Sequence, residues 1–106
     1  MTLWEERAAR NEALFRQVNE EVAGLGQGSG SGGSFVCECS DASCIERIQV
    51  ALDDYEAVRA NPRRFILKPG HEHVELERVV ERRDGYLVVE KVGGAGAVAE
   101  RTAPRP

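Results

Sequence analysis

The sequence predicts an α+β fold: an N-terminal amphipathic helix and a Gly/Ser linker, followed by a small mixed domain of cysteine turn, strand, short helix, strand and β-hairpin. Three observations carry this prediction. Apolar residues recur at helical spacing through the first 24 residues, and they alternate with period two around Ile48. Near the C-terminus, an Asp-Gly pair joins two strand-like runs.

Residues 1–24 form the predicted helix. Thr2 is placed to cap it and Glu5, three residues on, completes a capping box. Trp4, Ala8, Asn11, Phe15, Val18, Val22 and Leu25 follow one another at spacings of four and three, a heptad-like stripe. The leading reading is that this stripe packs on the protein's own domain. The other is a helix–helix contact with a protein partner or a second copy in a homodimer, with Asn11 setting the register. Residues 25–34 are the predicted flexible linker; the stretch GLGQGSGSGGS at 24–34 holds six of the eleven glycines. A random coil of that length spans about 18 Å, enough for the helix to fold back.

Residues 35–92 form the compact part. Ile48, Val50 and Leu52 alternate with Arg47, Gln49 and Ala51, the pattern of a half-buried strand. Asp53 and Glu56 mark a second capping box for the helix DDYEAVRAN, which Pro62 ends. Phe65, Ile66 and Leu67 form a brief strand closed by the Pro69-Gly70 turn. Val74 to Arg83 and Tyr86 to Val92 flank Asp84-Gly85, the signature of a type I′ hairpin. Arg59, Arg63 and Arg64 gather at the end of the short helix, where cations suit the helix dipole. Residues 93–106 read as a mobile tail.

Length and charge bound the function. A chain of 106 residues makes one small domain. No apolar run approaches the ~18 residues that span a bilayer, so no membrane association is expected. The charged start MTLWEERAARNEALF does not have the form of a secretory signal. These features place the protein in the cytoplasm, where thiols stay reduced. A net charge of −4, evenly spread, weighs against a nucleic-acid partner, because phosphate neutralisation needs a basic face.

All three cysteines lie within FVCECSDASC, at Cys37, Cys39 and Cys44. An extended FVCEC points both of its sulfurs to one face. Ser40, Asp41 and Ser43 then favour a turn that brings Cys44 back to that face. Three converging thiolates suit a soft tetrahedral ion such as Zn²⁺. A structural site needs a fourth ligand, and the only histidines are His71 and His73, in PGHEHVE. His71 directly follows the Pro69-Gly70 turn and is preferred; His73, Asp41 or a water are the alternatives. A core this small rarely supplies more than ~3–5 kcal/mol, so a structural metal is a plausible staple. Glu38 and the polar turn argue against the cysteines being ordinary core. Redox use is the other reading: bridging Cys37 to Cys39 would strain the backbone, which makes a reactive switch rather than a staple.

Enzyme signatures are missing. HEHVE is not HExxH, the linker glycines lack GK[ST], and no CxxC occurs. His73-Val74-Glu75 matches the HxE of zinc deaminases, but no PCxxC follows it. The sequence therefore reads as a small zinc-stabilised binding or regulatory module, with no catalytic residues. A thiol-based redox or metal sensor is the alternative, and a small zinc hydrolase with water as fourth ligand the third reading.

FVCECSDASCIERIQVALDDYEAVRANPRRFILKPGHE, with VELERVVERRDGYLVVEK after it, resembles a family of small uncharacterised bacterial proteins. The likeness spans residues 11–92 and is most specific at CxC-x4-C-x-E-R-I, D-Y-E-A-V-R and P-G-H-E. The resemblance implies that Cys37, Cys39, Cys44 and His71 form one constellation; it implies no activity, cofactor or substrate.

Overall fold

A computed structural model describes residues 2–24 and 33–103. The chain begins with helix α1 (Leu3–Gly24). Its N-terminus is closed as the sequence predicts: the Glu5 amide donates to Thr2 Oγ1 at 3.1 Å and the Thr2 amide to Glu5 Oε1 at 3.0 Å. Strands β1 (Gly33–Val36) and β2 (Arg47–Val50) then pair antiparallel, Phe35 opposite Ile48. Helix α2 (Leu52–Arg59) leads to a second sheet of β3 (Arg64–Leu67), β4 (Glu77–Arg83) and β5 (Tyr86–Lys91), in the order β3-β5-β4 and antiparallel throughout. Helix α3 (Gly93–Arg101) closes the described chain.

The α+β class and every predicted strand and helix are present, with several local differences. Predicted linker residues Gly33 and Ser34 belong to β1, while 25–32 lie outside the described residues. Helix α2 starts one residue early, from Ala51, and no side chain caps it, so the predicted capping box at Asp53 does not form. Asp53 and Asp54 instead occupy its first turn, where carboxylates suit the positive end of the helix. At Asp84-Gly85 only the glycine takes positive φ, 86°, so the turn is not the I′ form, which needs both. Residues 93–101, expected in a mobile tail, form α3 with Ala95, Gly96, Val98 and Ala99 buried. Its glycines give it poor intrinsic propensity; packing on α1 and β5 supplies what propensity lacks.

The main apolar core lies between the sheets and helices, with a smaller cluster of Ala8, Leu76 and Ala95 beside it. Phe35 stacks on Tyr55 with ring centroids 4.4 Å apart, and Ile48, Val50, Phe65, Ile66, Leu67, Val88 and Val89 surround them. Helix α1 docks on the domain through a face that overlaps only part of the stripe the sequence suggests: Ala8 is buried and Val22 packs on the core. Its buried residues are Ala8, Ala9, Glu12, Arg16, Asn19 and Ala23. Trp4 (47% exposed) and Val18 (38%), both on the predicted stripe, reach solvent, as does Leu14. The inward face of the helix is therefore half polar, with Glu12, Arg16 and Asn19 beside three alanines.

Each inward polar side chain has at least one partner prepared for it. Asn19 donates to the Val36 carbonyl at 2.8 Å, accepts from the Val36 amide at 2.8 Å and donates to Glu38 Oε2 at 2.8 Å. Arg16 donates to the carbonyls of Pro62 (2.6 Å) and Ala99 (2.9 Å) and lies 4.6 Å above the Phe65 ring. Glu12 pairs with Lys91, which also binds Glu77. The arginines near Pro62 likewise do more than complement a helix dipole. Arg59 is buried against Glu38 at 3.5 Å, Arg63 pairs with Glu100 at 2.6 Å, and Arg64 with Glu90 at 3.3 Å.

Candidate metal centre

The cysteine loop is held by both sheets. Beyond β1, the Cys37 amide donates to the Glu46 carbonyl at 3.1 Å, extending the β1–β2 ladder by a step. The Glu38 amide donates to the Ile66 carbonyl at 2.8 Å, which ties the same segment to β3. Alternation along this extended stretch sends Cys37 and Cys39 one way and Glu38 the other. Glu38 is fully buried, contrary to the expectation that it marks a polar setting. Its carboxylate accepts from the Ile66 amide at 2.9 Å, from Asn19 and from Arg59, so it joins β3, α1 and α2 behind the sulfurs.

The turn after Cys39 forms as its residues predict. Asp41 Oδ1 accepts from the Ser43 amide at 2.9 Å and from Ser43 Oγ at 2.7 Å. The Cys44 amide donates to the Asp41 carbonyl at 3.0 Å, which carries the third sulfur back. Opposite, the His71 amide donates to the Lys68 carbonyl at 3.1 Å around Pro69-Gly70. Gly70 has φ 94°, as the third residue of a type II turn requires. That turn aims the His71 imidazole at the sulfurs, with Nδ1 at 3.5 Å from Cys37 Sγ and 3.7 Å from Cys44 Sγ.

One ligand atom from each of Cys37, Cys39, Cys44 and His71 lies within 4.8 Å of every other. A tetrahedral ion with bonds of ~2.3 Å holds its sulfurs roughly 3.8 Å apart, so closure needs a shift of under about 1 Å. The Lys68 amide donates to Cys37 Sγ at 3.2 Å, the kind of outer contact that favours a thiolate ligand. Hydrogen bonding from Cys37 pulls the Cys39 thiol down to about 5, against the opposing effect of burial. The bond to Cys39, then burial, pushes Cys37 up, and burial pushes Cys44 up. Three sulfurs this close do not all ionise unaided; a bound divalent cation would let them.

The other candidates stand apart from the cluster. His73 does not share a strand with His71, because residues 71–76 run in loop and turn, and the pair diverges. The His73 ring meets Trp4 edge-on, centroids 5.1 Å apart. The Asp41 carboxylate is exposed and engaged by Ser43. A hollow of about 300 Å³ borders the cluster, with Cys39 and His71 in its wall alongside Asp41, Glu72 and His73. The Trp4–His73 contact, the buried Glu38 and the Lys68 amide left no signal in the sequence, since each depends on segments far apart in the chain.

Fold and site together define a small α+β protein in which three cysteines and one histidine cluster closely enough to take a metal ion. Comparisons with protein-family models, curated proteins and solved structures find no match to this chain. Among the described residues no helix is long and apolar enough to cross a membrane.

Proposed function

We propose that the protein is a small zinc-stabilised binding or regulatory module of the cytoplasm, its ion held by Cys37, Cys39, Cys44 and His71. The observation that carries this reading is the convergence of four soft or borderline ligand atoms within 4.8 Å. That donor set favours zinc over calcium or magnesium, which take oxygen ligands. Four protein ligands leave no open position, so the ion is structural rather than catalytic. Bound there, it ties the loop between β1 and β2 to the turn after β3. Ion binding at structural sites of this type contributes about 10–16 kcal/mol in small peptides, enough to determine whether a core of this size folds.

A thiol-based sensor is the second reading, favoured by one feature. Cys44 is only partly buried, whereas Cys37 and Cys39 are each 1% exposed. An oxidant in solvent would meet Cys44 first. A structural site keeps its ion through mild peroxide; a sensor releases the ion and recovers it with reductant.

Native mass spectrometry of protein purified without added metal, set against the denatured mass, tests the proposal. The expected result is the mass of a single zinc ion, lost in Cys44→Ser and His71→Ala and kept in His73→Ala. A metal-free native mass with three free thiols would sink it, and a mass two hydrogens light would establish a disulfide switch instead. Retention of zinc by His71→Ala would remove His71 from the ligand set.

A further inference from the structure

A second hollow, of about 450 Å³, adjoins the one at the cysteine cluster and shares Ser40, Asp41 and His73 with it. Its far wall is the first turns of α1: Trp4, Arg7, Ala8 and Asn11. Asn11 Nδ2 donates to the Ser40 carbonyl at 3.0 Å, fixing that wall to the cysteine loop. The trough thus exists because α1 is docked, and its volume falls in the ~300–1,000 Å³ range of small-molecule sites.

Its chemistry is specific. Trp4 is the only tryptophan of the chain, 47% exposed, with its ring fixed edge-on by His73. A half-open, positioned indole offers an apolar face to a ring. Arg7 has no salt-bridge partner among the described residues, although Arg10, one turn on, is paired with Glu6 at 3.3 Å. Asp41, on the opposite side, presents a carboxylate whose Oδ1 is fixed by the Ser43 amide at 2.9 Å and the Ser43 hydroxyl at 2.7 Å. A cation, an anion and an aromatic face lining one hollow match a ligand that carries all three complements.

We propose that this trough binds a small zwitterion with an apolar ring, an aromatic amino acid or short peptide, its carboxylate on Arg7, its ammonium at Asp41 and its ring against Trp4. The ligand does not need to bond to an ion at the cysteine cluster, because Cys37, Cys39, Cys44 and His71 could supply all four positions of a tetrahedral site. The site deepens the reading as a binding module but does not depend on which metal the cysteines hold.

Because Trp4 is the sole tryptophan, selectively excited indole emission of the full chain reports on the trough directly. Titration with L-phenylalanine is expected to give a saturable change. L-phenylalaninamide, without the carboxylate, N-acetyl-L-phenylalanine, without the ammonium, and L-alanine, without the ring, are each expected to bind about tenfold more weakly or worse. Arg7→Gln should weaken phenylalanine but not its amide, and Asp41→Asn should weaken phenylalanine but not the acetylated form. Tighter binding of a phenylalanine dipeptide would assign the site to peptides, and tighter binding of the free amino acid to a metabolite. No saturable change, or unchanged phenylalanine binding in both variants, overturns the proposal. So does binding that vanishes when the metal is stripped while far-ultraviolet dichroism is unchanged, since the ligand would then sit on the ion. Metal content of the same samples separates failure of this site from failure of the zinc centre.

Discussion

Two carboxylates share one ammonium beneath α1, where Glu12 and Glu77 both bind Lys91. All three side chains are buried, and the ammonium lies 5.0 Å from the centre of the Phe65 ring. Burial, only partly offset by Lys91, raises the Glu12 carboxyl to about 8. A folded-state value above the unfolded one means that folding favours the protonated form, so this stabilisation is complete below about 4.5 and is lost as pH rises through about 8. Glu12→Gln keeps the shape without the titration. The native chain is therefore expected to lose stability relative to Glu12→Gln between those values, by on the order of a few kcal/mol. Urea unfolding of both proteins across that pH range measures it; parallel curves would mean that Glu12 does not titrate there.

At the scale of elements, α1 is attached through buried polar side chains, Glu12, Arg16 and Asn19, as well as through Ala8, Ala9 and Ala23. Asn19, itself fully buried, makes three hydrogen bonds to Val36 and Glu38. Asn19→Ala would leave the Val36 amide and carbonyl unpartnered, at ~1–3 kcal/mol for each buried group left unsatisfied. Val18, its neighbour on the predicted stripe, is 38% exposed. The expected result is a loss of roughly 3 kcal/mol or more for Asn19→Ala and within about 0.5 kcal/mol for Val18→Ala. The reverse order in denaturant melts would restore the apolar stripe as the docking face. Helix α3 shows the same dependence on packing: GGAGAVAER is helical because Ala95, Val98 and Ala99 are buried in the assembled fold.

Across the whole molecule, the cysteine loop joins the small β1–β2 sheet to the three-stranded sheet, through the Glu38–Ile66 hydrogen bonds on one side and His71 on the other. Loss of the proposed ion would loosen both sheets together. Tight-binding chelator at neutral pH is expected to lower the unfolding midpoint by at least about 10–20 °C, the shift that a hundredfold excess of ion over its dissociation constant already gives, and to unfold the chain outright if the ion contributes the full energy of a structural site. Added zinc should restore it. An unchanged midpoint in metal-free protein would mean that the fold stands without the ion.

What the sequence determined by itself is local. The Thr2–Glu5 capping box, the Asp41–Ser43 turn and the Lys68–His71 turn are each written in residues at most three apart. Those turns made the fourfold constellation readable, because a loop of eight residues places three sulfurs with few alternatives. The preference for His71 over His73 rested on the same turn, and the tertiary structure gave it geometry. Other features were decided only by tertiary structure. Hydrophobic periodicity could not show that Glu12, Arg16 and Asn19 face inward, because a polar residue is buried only where partners wait for it. Those partners, Lys91, Ala99, Val36 and Glu38, lie 17 to 83 residues away in the chain. The same separation hid the burial of Glu38, the helix at residues 93–101, and the trough between Trp4 and Asp41, which none of its walls forms alone.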